Sequence, residues 1–161
     1  MWLIGIRSGI ITILLLIAYG MIVQMMQLKS SIWGNLEHVV FAIGIYSGHY
    51  YYKYAHKGYM TYREGVQVGL IVAGFTALVS GAFTYGVAKF VDPFFTKKMV
   101  ASIKVALQQN QLEEGKVQEI VHFIEANMTP GVLLVIIPLA TLLVGFIFNL
   151  IIAIFSRHAK Q

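Results

Sequence analysis

Four stretches of the chain are almost unbroken in apolar residues, near Ile10–Met26, Ile32–Tyr52, Val66–Ala88 and Gly131–Phe155. A membrane-crossing helix needs roughly 20 mostly apolar residues at about 1.5 Å rise each, and all four stretches are of that order. The pattern predicts an all-α integral membrane protein with four transmembrane helices, over about 8–27, 32–54, 64–90 and 130–156. Between the third and fourth blocks polar residues return, but the periodicity persists. Met99, Val100, Ile103 and Leu107 recur at helical spacing, as do Val117, Ile120, Val121, Ile124 and Met128. Glu113-Glu114 suits the first turn of a helix, where the macrodipole favours negative charge. The prediction is a two-helix amphipathic hairpin outside the membrane, about 93–128, within a single membrane domain spanning 1–161. Its apolar faces would rest on the bundle or the lipid surface, or receive a partner.

Local signals refine this outline. Thr129-Pro130 opens the last block with a capping hydroxyl and a residue tolerated in the first helical turn. Pro138 falls inside that block and predicts a kink, because it removes one backbone hydrogen bond. The start, with Arg7 ahead of Ile10–Ala18, has the outline of a signal peptide. Its apolar run continues past Gly20 without an Ala-x-Ala-like site, so an uncleaved span is expected.

Composition narrows the class. Only 12% of the 161 residues are charged while 58% are hydrophobic, which suits one membrane domain and not a water-exposed one. The net charge of +5 comes from Lys and Arg scattered over helix ends and loops. That distribution fits orientation signals and lipid head-group contacts, and no nucleic-acid partner is expected. The absence of cysteine excludes disulfides, thiolate metal sites and a Cys nucleophile.

Charge also predicts the threading. Arg7, Lys53, Lys57, Arg63, Arg157 and Lys160 fall in three short segments on one side. Lys29, Lys89, Lys97, Lys98, Lys104 and Lys116 fall on the other, mostly along one long connection, which weighs less in setting orientation. Both termini are therefore expected in the cytoplasm of a multi-pass protein of the bacterial inner membrane. Tyr50, Tyr51, Tyr52, Tyr54, Tyr59 and Tyr62 cluster where the second span leaves and the third enters, as an aromatic belt would.

Helices in lipid associate by close packing of small residues. Gly65, Gly69, Ala73, Ala77, Gly81 and Thr84 form such a stripe, which predicts the third span as the central packing helix. Gly44 and Gly48 offer a similar patch on the second, and Gly5 with Gly9 begin one on the first.

The second block holds the polar residues of interest: Asn35, Glu37, His38 and His49. An ionisable group at membrane depth is costly and normally faces protein, water or a partner. A structural ion pair between Glu37 and Lys89 is one expectation; a ligand or ion pathway using Glu37, His38 and His49 is the other. His38, His49 and His56 share nearly one helix face, a pattern that invites haem, but His122 and His158 lie elsewhere. No metal site and no cofactor is expected. Ser30-Ser31 near Glu37-His38 supplies hydrolytic residue types without any sign of convergence, and no metalloprotease, P-loop or nucleophile-elbow motif occurs. The expectation is that the chain is not an enzyme.

The segment Met60-Thr-Tyr-Arg-Glu-Gly-Val-Gln-Val-Gly69 leads into a span ending Phe90-Val-Asp-Pro-Phe94. Met128-Thr-Pro130 then precedes a last apolar span closing in Ser156-Arg157. This order resembles a family of small four-span membrane proteins found mainly in Bacteroidetes, domain of unknown function forty-one ninety-nine. Its clearest matches are Tyr62, Glu64 and Gly69 at the opening and Asp92-Pro93 at the exit. The resemblance implies a four-helix inner-membrane protein with an outer helical hairpin, and transfers no catalytic or ligand residue.

Together these features predict a non-catalytic accessory or assembly subunit of a larger membrane complex, with protein partners at the small-residue stripe or the 93–128 hairpin. The alternatives are a small oligomeric channel or transporter using Glu37 and His38, and third a haem- or quinone-binding membrane protein.

Overall fold

The computed structural model describes residues 1–26, 31–110 and 112–157. Lys29, Ser30, His158 and Lys160 lie outside the described residues, as do the side chains of Ser31 and Asn35. The described residues are helical and contain no strand: α1 (Trp2–Met25), α2 (Ser31–Ala55), α3 (Tyr62–Gly86), α4 (Phe95–Gln109), α5 (Glu114–Asn127) and α6 (Pro130–Ser156). α3 ends in a π-helical turn, Val87–Val91, closed by the Asp92 amide donating to the Val87 carbonyl at 2.9 Å. α6 stays helical through Pro138.

Three segments are long and apolar enough to cross a membrane: Trp2–Val23, Tyr62–Val91 and Pro130–Ser156. α2 matches them in length, at 25 residues, but not in apolarity. The reason is in its composition. Glu37, His38, His49 and Lys53 interrupt it, and its last two turns are mostly tyrosine.

The chain forms two compact units. The first comprises Met1–Ser80 and Pro138–Gln161, and its helix directions follow from which residues meet. Gly5 of α1 faces Ile71 of α3 and Gly9 faces Phe75, so α1 and α3 run parallel. Gly65 lies against Ala153 of α6, Gly69 against Asn149 and Gly145 against Ala73, so α3 and α6 run antiparallel. Gly44 of α2 abuts Thr12 of α1, and Gly48 abuts Ser8 of α1 and Val72 of α3, so α2 also opposes α1 and α3. Within this unit the start of α1 and the end of α6 lie at one end, together with the α2–α3 turn.

Contacts of this kind need residues without side chains. A methyl group on Gly5 would sit 2.6 Å from Ile71, and one on Gly145 would sit 2.7 Å from Ala73. Backbones this close gain dispersion along their whole length, the main attractive term between helices in lipid. Within the first unit α3 meets α1, α2 and α6, and its Val68, Val72, Ala73 and Thr76 are fully buried.

Polarity in the first unit is distributed opposite to that of a water-soluble bundle. Its outer face carries Leu14, Leu15, Ile22, Leu139, Leu143, Ile147 and Ile151, whereas Ser8, Thr12, His49, Thr76 and Asn149 are buried. Hydrocarbon around the bundle makes that arrangement favourable; water would make it costly.

The second unit, Gly81–Ile137, contains the π turn, α4 and α5. α4 and α5 close on each other over Val100, Val117 and Val121, with Leu107, Ile124 and Met128 packed around them. Asp92 organises the start of α4. Its Oδ1 accepts from the Phe94 amide at 3.0 Å and its Oδ2 from the Lys98 ammonium at 2.6 Å. The Lys98 hydrogen bond holds the Asp92 carboxyl below its ordinary pKa, aided by the Phe94 amide.

Candidate functional site

His49, halfway along the second half of α2, is a fully buried ionisable group of the first unit. Its Nε2 lies 3.1 Å from Asn149 Oδ1 of α6, and Asn149 Nδ2 donates to the Val66 carbonyl of α3 at 2.8 Å. This chain fixes protons as well as positions. A carbonyl can only accept, so the Asn149 NH2 must face Val66 and its oxygen must face His49. Nε2 is therefore the protonated nitrogen, and it donates. His49 Nδ1 is buried without a hydrogen-bond partner among the described residues. Asn149 can reach Val66 only because Gly69 has no side chain; any Cβ there would overlap the Asn149 amide.

Outward from His49, α2 and α6 part to form a pocket of about 320 Å³. α2 contributes Tyr46, His49, Tyr50 and Lys53, one helical face by their spacing; α6 contributes Ile152, Phe155 and Ser156. Lys53 is its single charged group. The Ser156 hydroxyl is also buried without a partner among the described residues.

Beyond the pocket, the α2–α3 turn is tied by reciprocal hydrogen bonds. The Thr61 amide and hydroxyl both donate to Glu64 Oε2 at 2.8 Å, and the Glu64 amide returns to Thr61 Oγ1 at 3.3 Å. This is a capping box, which satisfies otherwise free N–H groups at the start of α3. Tyr52 of α2 donates its hydroxyl to Glu64 Oε1 at 3.1 Å and links the two helices. His56 stacks on the Tyr52 ring with centroids 4.0 Å apart. The chain reverses through Lys57 and Gly58, both at positive φ, with the Gly58 amide donating to the Lys53 carbonyl.

The residues singled out by type are placed as follows. His38 and His49 both face α6, His38 edge-on to Phe148 with centroids 6.3 Å apart. His56 lies past the end of α2. Glu37 is exposed on α2. Lys89 belongs to the second unit, where its ammonium donates to the Tyr85 hydroxyl at 2.8 Å and lies over the Tyr85 and Phe90 rings. The expected Glu37–Lys89 pair would join the two units and stays a proposal. Gly65, Gly69, Ala73 and Ala77 are buried inside the first unit, Gly44 and Gly48 with them, and Gly81 is buried in the second. No cluster of three or more His, Asp or Glu able to hold a metal occurs among the described residues.

Residues 4–158 match the family described as protein of unknown function (DUF4199). The chain belongs to this family. No curated protein and no solved structure matches it. Three of the motif residues that carry the family resemblance, Glu64, Gly69 and Asp92, have a structural task here. Glu64 closes the capping box, Gly69 admits Asn149, and Asp92 accepts from the Phe94 amide in the turn that leads into α4. Pro93 follows without a backbone donor, at a point where the helix has already ended.

Two participants are weakly marked in the sequence. Asn149 is one of a handful of polar residues at mid-depth, and its being the only amide in the last apolar block is its signal. Ser156 closes that block and enters the family resemblance only as its end, with no sign of a role in a pocket. Thr61 was open to detection, since Thr-x-x-Glu before an apolar run is the capping-box pattern.

Proposed function

We propose that this family member is a non-catalytic, four-span protein of the bacterial inner membrane, with α2 as the additional span and both termini cytoplasmic. We further propose that it serves as an accessory or assembly subunit of a larger membrane complex. One observation carries the subunit reading. The α4–α5 hairpin buries its own small core yet leaves Val105, Ile120 and Phe123 exposed, Phe123 at 69%. This reading takes these large apolar side chains, on a mostly polar hairpin, as the surface that a partner covers. The small-residue stripe is occupied within the first unit at Gly65, Gly69 and Ala73, which favours the hairpin as the partner surface in this reading.

Support for α2 as a span is geometric. It lies against α1, α3 and α6 within one unit, and its buried polar group, His49, is paired with Asn149. A 25-residue helix is about 37 Å long at 1.5 Å per residue, enough to cross. The absence of cysteine makes the threading testable by single-cysteine labelling in intact cells. Ser102→Cys should react with an impermeant reagent, and Lys57→Cys only after permeabilisation. The subunit reading is tested by mild-detergent extraction and by photocrosslinking from position 123. Isolation of a monomer or homodimer with no retained subunit would refute it.

A small oligomeric channel or transporter is the second reading, favoured by the exposed carboxylate of Glu37 on an otherwise apolar surface. Flux in proteoliposomes should then fall on Glu37→Gln.

A further inference from the structure

We propose that the pocket between the C-terminal halves of α2 and α6 seats the phosphate headgroup of an anionic membrane lipid, with Lys53 as its cation and Ser156 as a hydrogen-bond donor. Two polar side chains in the pocket wall point to this occupant. Lys53 is half-buried in the pocket wall and has no carboxylate partner among the described residues. Ser156 is 5% exposed and its hydroxyl has no protein partner among the described residues. A buried hydroxyl without an acceptor or donor is unfavourable, and a phosphate oxygen would satisfy it. A single unopposed ammonium selects a net anion, and phosphate oxygens accept from both groups at once.

The remaining wall identifies the source of the phosphate. Tyr46 and Phe155 rim the pocket at 55% and 82% exposure, and Ile152 lines it between them. These are surfaces for an acyl chain, and free phosphate has no use for them. A volume of 320 Å³ is at the low end of the roughly 300–1,000 Å³ of ligand pockets, so it holds a headgroup while the chains lie outside. Its place is also right. The pocket lies at the end of the first unit that carries the tyrosine-rich α2–α3 turn, the composition of a head-group layer. His49 forms the inner wall, where its Asn149 hydrogen bond fixes the ring and the depth of the pocket.

The test uses the full-length protein in mild detergent. Native mass spectrometry would count retained dioleoyl phosphatidylglycerol against dioleoyl phosphatidylcholine, with inorganic phosphate as competitor. The expected preference for phosphatidylglycerol is roughly tenfold, the scale of one charge-assisted hydrogen bond. Lys53→Gln should abolish the preference, Ser156→Ala should reduce it, and Lys97→Gln, exposed on α4, should leave it intact. Circular dichroism of each variant separates lost binding from lost folding, and Lys53 makes no contact whose removal would unfold the bundle. Equal retention of the two lipids, or an undiminished preference in folded Lys53→Gln, would overturn the proposal. So would inorganic phosphate that displaces the lipid fully and protects the protein as well, because the occupant would then be the free ion.

Discussion

Alanine at Gly69 and alanine at Gly74 place the same methyl group on the same helix, and the structure assigns them opposite effects. A Cβ at Gly69 would overlap the Asn149 amide, whereas a Cβ at Gly74 meets nothing within 4 Å. Asn149 cannot swing away freely, because it is held on one side by His49 and on the other by the Val66 carbonyl. Overpacking of this kind costs about 1–3 kcal/mol. Losing the two hydrogen bonds adds about 0.5–1.5 kcal/mol each, with measured values in membrane bundles toward the lower figure. Gly69→Ala should therefore destabilise by about 2–4 kcal/mol. Gly74→Ala removes backbone freedom from the unfolded chain and should be neutral or stabilising by up to about 1 kcal/mol. The assay is reversible unfolding in mixed micelles, followed by circular dichroism. A double-mutant cycle sharpens it: with Asn149→Ala in place, the methyl at position 69 finds room. The two changes should then be non-additive by about 1–3 kcal/mol. Equal stability of the Gly69→Ala and Gly74→Ala proteins would refute the packing scheme, as would simple additivity in the cycle.

Other outcomes follow from the turns. Lys57 holds a left-handed conformation that costs a side-chain-bearing residue about 1–2 kcal/mol, so Lys57→Gly should raise the unfolding midpoint. Glu64→Ala removes the capping box and the Tyr52 link and should cost about 1–2 kcal/mol, measured in the same micelles, while Glu64→Gln should retain most of it. Asp92 has its pKa lowered below 3.8, so its bonds to Lys98 and Phe94 favour the folded turn above that value and are lost as pH falls through the folded pKa. Protection of the Phe94 amide against hydrogen exchange, measured relative to its intrinsic rate at each pH, should fall in that acid range, and Asp92→Asn should flatten the dependence.

How far the sequence discloses this molecule depends on what is asked of it. Apolar length is a one-dimensional property, and it locates α1, α3 and α6 directly. The spacing of Val100, Leu107, Val117, Val121 and Ile124 likewise marks the faces that meet in the hairpin. Rotation is harder. Glu37 and His38 attract attention by type, yet Glu37 stands on the outer surface while His49 and the inconspicuous Asn149 form the buried contact. An isolated helix gives no sign of which neighbour will face its polar residue, and these two are 100 positions apart. α2 shows the converse. Its polar residues depress its hydropathy below that of the other three long helices, although part of that polarity is consumed internally by Asn149 and Glu64. The pocket was beyond reach altogether, because it exists only where the ends of two distant segments diverge.

The groove along α3 also sets an order of events. α1 and α2 precede it in synthesis and can settle against Ile71, Phe75 and Val72 as soon as it emerges. The strip running from Gly65 through Gly69 to Ala73 must wait until the hairpin and then α6 have been made. Throughout that interval His49 has no Asn149 to receive its proton, so the nascent three-helix form carries both an open seam and an unanswered imidazole. Arrival of α6 answers both at once, which makes its last turns the latch of the bundle.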